Sequence, residues 1–489
     1  MDDETFRLRV SEMAEFISNY LSTVKERRVF PDVEPGYLKS LLPVQAPTTS
    51  ETLESIMKDV ENKILPGMTH WQHPSFHAYF PAGNSYPSIL ASLLSDGLGC
   101  IGFSWAASPA MTELETVMVD WLGRMMGLPN ELLPYTKGCT GGGVLQGSAS
   151  ECTLVCMLAA RTKALQKLRK VYPHKDDYDL LPKLVAYFSE EAHSSVEKAA
   201  NIAFVKRRKL PTDKHYAFRG KTLRKAMEQD EKSGLVPFFV CGTIGTTSSC
   251  ACDNLDELGE TCSANGRDVW LHVDGAYGGN ALICPEFRYL LRGFQYVTSF
   301  NVNPNKWLQV NFDCSVMWVR DKNALIDALT VNPAYLQHDN DDRVIDYRNW
   351  TIPLSRRFRA LKLWFVIRMY GVEGLQQFVR LHVRLAQLFE TLVRQDPLFE
   401  IVGDVVFGLV CFRIKGQDKL TEVLLKRINT SGEAHMISTR LDDKFVIRFA
   451  VCHPQATEDH ITQSWNIIRH HAYHTSFPKD GAVEKLLQN

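Results

Sequence analysis

The chain has 489 residues, about three domain-equivalents at roughly 150 residues each, which excludes a small binding module or a peptide hormone. Hydrophobic residues make up 45% and charged residues 23%, the balance of a packed globule, so disorder and fibrous repeats do not fit. Lys+Arg 55 against Asp+Glu 56 leaves a net charge of -1, which removes the broad attraction used by nucleic-acid and anionic-membrane binders. No nucleic-acid or membrane partner is expected.

Met1-Asp2-Asp3-Glu4 is acidic where a signal peptide carries positive charge, and no apolar stretch approaches the ~20 residues that span a bilayer. The expected location is cytoplasmic. Phe6, Val10, Met13, Ile17, Tyr20 and Val24 recur at steps of three and four and predict a helix over 5–24. Pro31, Pro35, Pro43 and Pro47 break the next stretch, and a second helix is expected over 50–64. Residues 1–85 then form an arm with little core of its own, which must lie on something else, such as a second subunit.

From about 100 to 320, short β-rich runs at 184–188, 238–242, 269–273 and 297–301 alternate with helical patterns at 150–168, 194–203, 221–233 and 253–264. Strands apolar on both faces, alternating with helices, imply an α/β domain with a mostly parallel sheet covered on both sides. Ligands in such sheets collect at the carboxyl ends of the strands. This large domain is expected over 86–375. Helices near 357–370 and 373–396 follow, and strand candidates at 399–402, 408–414 and 444–451 make residues 376–489 a smaller α+β domain.

The twelve cysteines are scattered and several sit in apolar runs, as reduced buried thiols do. Cys250 and Cys252 are too weak a pair for zinc, and His470 and His474, four apart as a metal pair would be, lack a third ligand and read as a solvated helix end. No metal is expected.

Three segments carry chemistry. Residues 141–151, with three consecutive glycines followed by Gly147-Ser148-Ala149-Ser150, run into a helical pattern; free N–H groups at a helix start, with serine hydroxyls beside them, suit a phosphate, although a flexible loop with serine caps has the same composition. The run Val269-Trp270-Leu271-His272-Val273-Asp274 is a buried-type strand ending in a carboxylate. There Asp274 either caps the next helix or holds a heteroaromatic nitrogen protonated. Finally, Asn303-Pro304-Asn305-Lys306-Trp307 braces one lysine in a turn beside an aromatic, and a lysine in a partly dry site can form an imine with an aldehyde cofactor. Phosphate loop, strand-end carboxylate and turn lysine, in that order, are what pyridoxal 5'-phosphate requires, and His193 after the strand at 184–188 could stack on its ring.

With Ala192-His193-Ser194-Ser195, His272-Val273-Asp274-Gly275-Ala276-Tyr277 and Asn303-Pro304-Asn305-Lys306-Trp307 in register, the chain resembles the pyridoxal-phosphate-dependent group II amino-acid decarboxylases. The aromatic L-amino-acid, tyrosine and histidine decarboxylases look most similar. Further matches run from Glu26-Arg27-Arg28-Val29 through His70-Trp71-Gln72-His73-Pro74 and Phe103-Ser104-Trp105 to Ile352-Pro353-Leu354-Ser355-Arg356-Arg357-Phe358. The resemblance implies a fold-type I enzyme. In it Lys306 is the imine lysine, Asp274 partners the ring nitrogen, and His193 and Ala276 sandwich the ring. Ser148, Ala149, Ser150 and Asn303 hold the phosphate, with Thr247 nearby, and Asn305 adjoins the cofactor lysine. Trp71, Tyr79, Phe80, Pro81, Ala82, Ile101, Phe103, Leu354 and Ser355 line the substrate. It also implies a homodimer with shared active sites, to which the partner supplies Ile101, Phe103 and a mobile loop matching Asn332-Pro333-Ala334-Tyr335-Leu336-Gln337-His338 and the polar run after it. Tyr335 in that loop is the implied proton donor to Cα.

The implied reaction is decarboxylation of an aromatic L-amino acid, Dopa or tyrosine before 5-hydroxytryptophan, to an amine. Histidine is the alternative substrate. Relatives that oxidise the substrate to an aldehyde replace the loop Tyr with Phe or the stacking His with Asn, and this chain keeps Tyr335 and His193. Ala82, Asn305 and Ser355 stand where aromatic L-amino-acid decarboxylases carry Thr, His and Gly. Ser355 narrows the ring pocket and adds a hydroxyl, which favours a side chain smaller or more polar than indole.

Overall fold

The computed structural model describes residues 1–331, 333–340 and 343–476. They form two compact units, Ala82–Val383 with Gly403–Phe407, and Met1–Pro81 with Arg384–Val402 and the residues from Gly408 on.

The larger unit is built on a seven-stranded sheet: β1 Gly142–Gln146, β2 Leu184–Ser189, β3 Lys206–Leu210, β4 Val236–Thr243, β5 Trp270–Asp274, β6 Ser299–Val302 and β7 Ser315–Val319, in the order β1-β7-β6-β5-β4-β2-β3. β3, β2, β4, β5 and β6 run parallel, while β7 is antiparallel to both β6 and β1. The sheet is therefore mixed at one side. The four expected strands are present to within a few residues. Helices Ala149–Val171, Ser194–Ile202, Gly220–Lys232 and Leu255–Ser263 match the helical patterns. Val155, Cys156, Ala159 and Ala160 of the helix Ala149–Val171 pack with Val144, Ala186, Phe188, Phe239 and Met317 of the sheet in one buried cluster, which fixes this helix against the strands whose ends carry the site.

Residues 142–146, expected as part of a glycine-rich phosphate loop, instead enter the sheet as β1, fully buried and paired with β7. The glycines serve close packing: a Cβ on Gly143 would lie 2.5 Å from Met317 O, and one on Gly141 would lie 2.0 Å from Glu131 O. The turn proper begins at Gly147.

In the smaller unit, β8 Phe399–Ile401, β9 Leu409–Ile414, β10 Ile437–Leu441 and β11 Lys444–Ala450 form an antiparallel sheet ordered β10-β11-β9-β8. Residues 68–80 pack onto it: His77 N–H donates to His435 O at 2.8 Å, and Ala450 N–H donates to His77 O at 3.0 Å. The stretch before residue 81 thus shares its unit with the C-terminal residues of its own chain. The first helix, Asp3–Thr23, buries none of its residues. The helix Arg359–Gln395 breaks at Gly371, whose φ of 67 and ψ of 169 are not helical, so the two expected segments meet at that residue.

Candidate active site

Four strand ends and one helix start meet at the carboxyl edge of the large sheet. After β1 the chain turns at Gly147-Ser148 into the helix Ala149–Val171. Ser148 is its N-cap, accepting from Glu151 N–H at 3.2 Å, while the Glu151 carboxylate accepts from Gly147 N–H at 2.9 Å. This reciprocal cap fixes the entry angle and leaves the helix N-terminus, with its positive dipole end, beside Ser148, Ala149 and Ser150.

β5 ends on Asp274, which is buried; its Oδ1 accepts from Ala276 N–H at 2.9 Å and from Asn301 Nδ2 at 3.5 Å. After β6, Asn303 N–H donates to Ala276 O at 3.1 Å and Asn303 Oδ1 accepts from Ser315 Oγ at 2.7 Å. Asn303 thereby ties the ends of β5 and β7 to the turn that follows. In that turn, the short helix Pro304–Trp307, Lys306 N–H donates to Asn303 O at 2.9 Å, and the Trp307 ring stacks on Tyr277 at 4.6 Å while its indole N–H donates to His382 Nδ1 at 3.1 Å. Asn305 braces the same turn, its side-chain oxygen accepting from Cys314 N–H at 3.1 Å and its carbonyl from Gly83 N–H at 2.7 Å.

His193 caps the helix Ser194–Ile202 just beyond β2. Ser195 N–H donates to its Nδ1 at 3.2 Å, and Ser195 Oγ lies 2.8 Å from the same atom. Since Nδ1 accepts, the proton of the neutral ring sits on Nε2. Burial pushes the His193 pKa down; the Asp274 carboxylate opposes this and the Lys306 ammonium reinforces it, so the three side chains lie within electrostatic reach of one another. Thr247, half-buried, follows Gly245, whose φ of 80 and near contact with Gly278 suit glycine alone.

Of the residues expected to line the substrate, Trp71, Tyr79, Phe80 and Pro81 belong to the smaller unit. The Trp71 and Tyr79 rings stack at 5.1 Å and 11°. Arg448 donates to Tyr79 O at 3.1 Å and places its guanidinium 5.1 Å from the Phe80 ring centroid. In the larger unit Ile101 and Leu354 are 54% and 44% exposed, Ser355 is exposed, and Ala82 and Phe103 are half-buried. Arg348 N–H donates to Phe103 O at 3.0 Å and Gly102 N–H to Arg356 O at 3.4 Å, which brings the 101–103 and 348–356 segments together. Tyr335, in the short turn Ala334–Leu336, is 81% exposed and stands in solvent; Asn332, Asp341 and Asp342 of its loop lie outside the described residues.

Two features escaped the reading of the sequence. Glu115 and Arg356 form a buried ion pair at 2.6 Å that also grips both backbone polar groups of Leu145. A second polar row, from Trp270 to Thr153, lies under Asp274. The partners in both lie far apart in the chain, 241 residues for Glu115 with Arg356 and 119 for Thr153 with His272, so no local pattern shows them. Among the described residues no group of three or more His, Cys, Asp or Glu side chains is placed to hold a metal ion.

A helix N-terminus, a strand-end carboxylate and a turn lysine at one edge of this sheet define a fold-type I pyridoxal-phosphate enzyme. The family described as pyridoxal-dependent decarboxylase conserved domain matches residues 35–415. The aromatic-L-amino-acid decarboxylase of Rattus norvegicus is 54% identical over 471 residues, covering 96% of this chain and 98% of that protein. The histidine decarboxylase of Drosophila melanogaster is 51% identical over 469 residues, 96% of this chain and 55% of that longer protein. Among solved structures, Oryza sativa TDC with PLP and tryptamine superposes with a TM-score of 0.93 at 37% identity, covering 97% of this chain and 99% of that one. The chain belongs to the pyridoxal-dependent decarboxylase family, and its cofactor is pyridoxal phosphate.

The residues present fit that group. Ser189 Oγ and Thr243 Oγ1, buried at the carboxyl ends of β2 and β4, have no hydrogen-bond partner among the described residues, and buried polar atoms left unpaired at a strand edge are what a polar ligand satisfies.

Proposed function

We propose that the chain removes CO2 from an aromatic L-amino acid, Dopa or tyrosine in preference to 5-hydroxytryptophan, and releases the amine. The observation that carries the reading is that His193, Asp274 and Lys306, which follow or end β2, β5 and β6, lie within electrostatic reach of one another. Lys306 would anchor the cofactor, Asp274 would partner its ring nitrogen, and His193 and Ala276 would hold its ring. Ser148, Ala149, Ser150, Thr247 and Asn303 would hold its phosphate, and Asn305 braces the lysine turn. Bound there, pyridoxal phosphate supplies an electron sink for the charge left on Cα when the carboxylate departs.

The chain's own groups do the rest. The Asp274 carboxylate, kept in place by Ala276 N–H, favours a cationic ring nitrogen. Neutral His193 presents Nε2–H toward the site while Ser195 holds Nδ1. Tyr335, carried in on its loop, gives a proton to Cα and shields the site from water and oxygen. By the family resemblance Trp71, Tyr79, Phe80, Pro81, Ala82, Ile101, Phe103, Leu354 and Ser355 contact the substrate, and Ser355 favours a compact polar ring over indole.

The enzyme works as a homodimer. The helix Tyr86–Leu98 exposes Leu90, Leu93, Leu94 and Leu98, Ile101 follows, and the helix Asp3–Thr23 leaves Phe6 and Leu8 exposed. Such a stripe asks for a partner, and a second copy supplies both the cover and the loop. No described helix is long and apolar enough to cross a membrane, and twelve free cysteines suit a reducing, cytoplasmic setting.

Histidine is a second reading, favoured by the exposed Ser355 hydroxyl and the 51% identity to the fly histidine decarboxylase. Incubation with Dopa, tyrosine, 5-hydroxytryptophan and histidine, following CO2, amine and peroxide together, tests both. Amine from Dopa or tyrosine is expected; turnover of histidine alone, or stoichiometric peroxide without amine, would overturn the reading.

A further inference from the structure

Beneath Asp274 a row of buried polar side chains runs from β5 to β6, returns to β5 and ends on the helix Ala149–Val171. Trp270 Nε1 lies 2.7 Å from Ser299 Oγ. An indole N–H only donates, so the Ser299 oxygen accepts there, and the same oxygen lies 2.8 Å from His272 Nδ1. His272 Nε2 faces Thr153 Oγ1 at 3.4 Å, and the ring lies beside the Asn301 amide. Thr153 in turn donates to Ala149 O at 3.0 Å. All four side chains are buried, and burial holds the His272 pKa down at about 4, so the ring is neutral.

The row ends on the start of the helix Ala149–Val171, and at its middle it approaches the strand-end carboxylate. Ala149 is the first residue of the helix whose N-terminus meets the phosphate. His272 is two residues before Asp274 and so shares its face of β5, and Asn301 donates to Asp274 Oδ1. Apolar packing between a helix and a sheet is non-directional and tolerates small sliding, whereas a rigid ring with a phosphate on one side and a nitrogen on the other needs a fixed span. We propose that His272, held by Ser299 and Thr153, is a positioning residue that sets the separation between the phosphate-binding helix start and the Asp274 carboxylate. This rests on the cofactor reading of the same site given above.

The test compares Thr153→Val, which keeps the volume and loses the hydroxyl, with Thr153→Ser, which keeps the hydroxyl and loses a methyl. Apoprotein titrated with pyridoxal phosphate, read by the visible absorption of the bound cofactor, is expected to show a Kd raised about tenfold for Thr153→Val and near wild type for Thr153→Ser, a change of ~1.4 kcal/mol. Ser299→Ala, which cuts the row one link earlier, should weaken binding similarly and add little on top of Thr153→Val, since both break one chain. It carries the same test if Thr153→Val does not fold as apoprotein. Wild-type affinity in Thr153→Val with weakened affinity in Thr153→Ser would assign the site to packing and overturn the proposal, as would full additivity with Ser299→Ala. Failure of the cofactor reading itself is separate: the reduced adduct of wild-type protein would then fall on a residue other than Lys306.

Discussion

Glu115→Leu leaves the Arg356 guanidinium in the interior without its counter-charge. In the native chain Glu115 Oε1 accepts from Leu145 N–H at 2.8 Å and from Arg356 Nη2 at 2.6 Å, and Oε2 accepts from Nη1 at 2.9 Å. Removing one partner of a buried pair costs about 3–5 kcal/mol. The Arg356 bond to Leu145 O at 2.7 Å and the Tyr347 ring centroid 4.9 Å away are common to both chains and leave the difference unchanged. A net loss of about 4 kcal/mol remains. For a unit of roughly 300 residues, with unfolding entropy near 2 cal/mol/K per residue, that is a fall in Tm of about 6 °C. Calorimetry of cofactor-free protein reads it directly. Glu115→Leu combined with Arg356→Met should recover most of the loss, because the stranded charge is gone. A single variant that melts within about 1 °C of wild type, or a double variant no better than the single, would refute the reasoning.

Ser355→Gly is expected to raise kcat/KM for 5-hydroxytryptophan relative to Dopa by about tenfold, and an unchanged ratio would remove Ser355 from substrate selection. Tyr335→Phe should shift product from amine toward aldehyde, with peroxide formed from dissolved oxygen; an unchanged amine yield would discharge Tyr335 from protonating Cα. The smaller unit should be acid-labile. Burial lowers the His77 pKa from 6.5 to about 3, so the native state binds fewer protons than the unfolded one. Its contribution is whole above about pH 6.5 and falls as pH drops from there toward 3, at about 1.4 kcal/mol per pH unit. Urea unfolding at pH 7.5 and pH 5 should differ accordingly, and a His77→Gln variant with an undiminished slope would assign the lability elsewhere.

What the sequence made legible follows from how loudly each residue departs from its surroundings. Asp274 stands out because a charge ends a largely apolar strand, and Lys306 because it is the one charge in a Pro-braced turn beside an aromatic; the structure places them at the end of β5 and in the turn after β6. Gly142 and Gly143 were misread as loop because glycine marks close backbone approach as well as flexibility, and nothing local distinguishes the two; only the partner strand β7 decides. β3 was missed because Lys206-Arg207-Arg208-Lys209 has no apolar alternation, as befits a strand with one open edge. Glu115, Thr153 and Ser299 were invisible as functional groups because their partners lie 30, 119 and 27 residues away, a separation no local pattern encodes. The small unit was recognised as α+β, but the pairing of residue 76 with residue 435 was not, since a single bridge leaves no periodic trace.

The account turns on which amine holds the cofactor. Borohydride reduction of the holoprotein, followed by peptide mass spectrometry, should locate the pyridoxyl adduct on the peptide containing Lys306, with no adduct in Lys306→Ala. An adduct on any other residue, or wild-type turnover by Lys306→Ala, would contradict it.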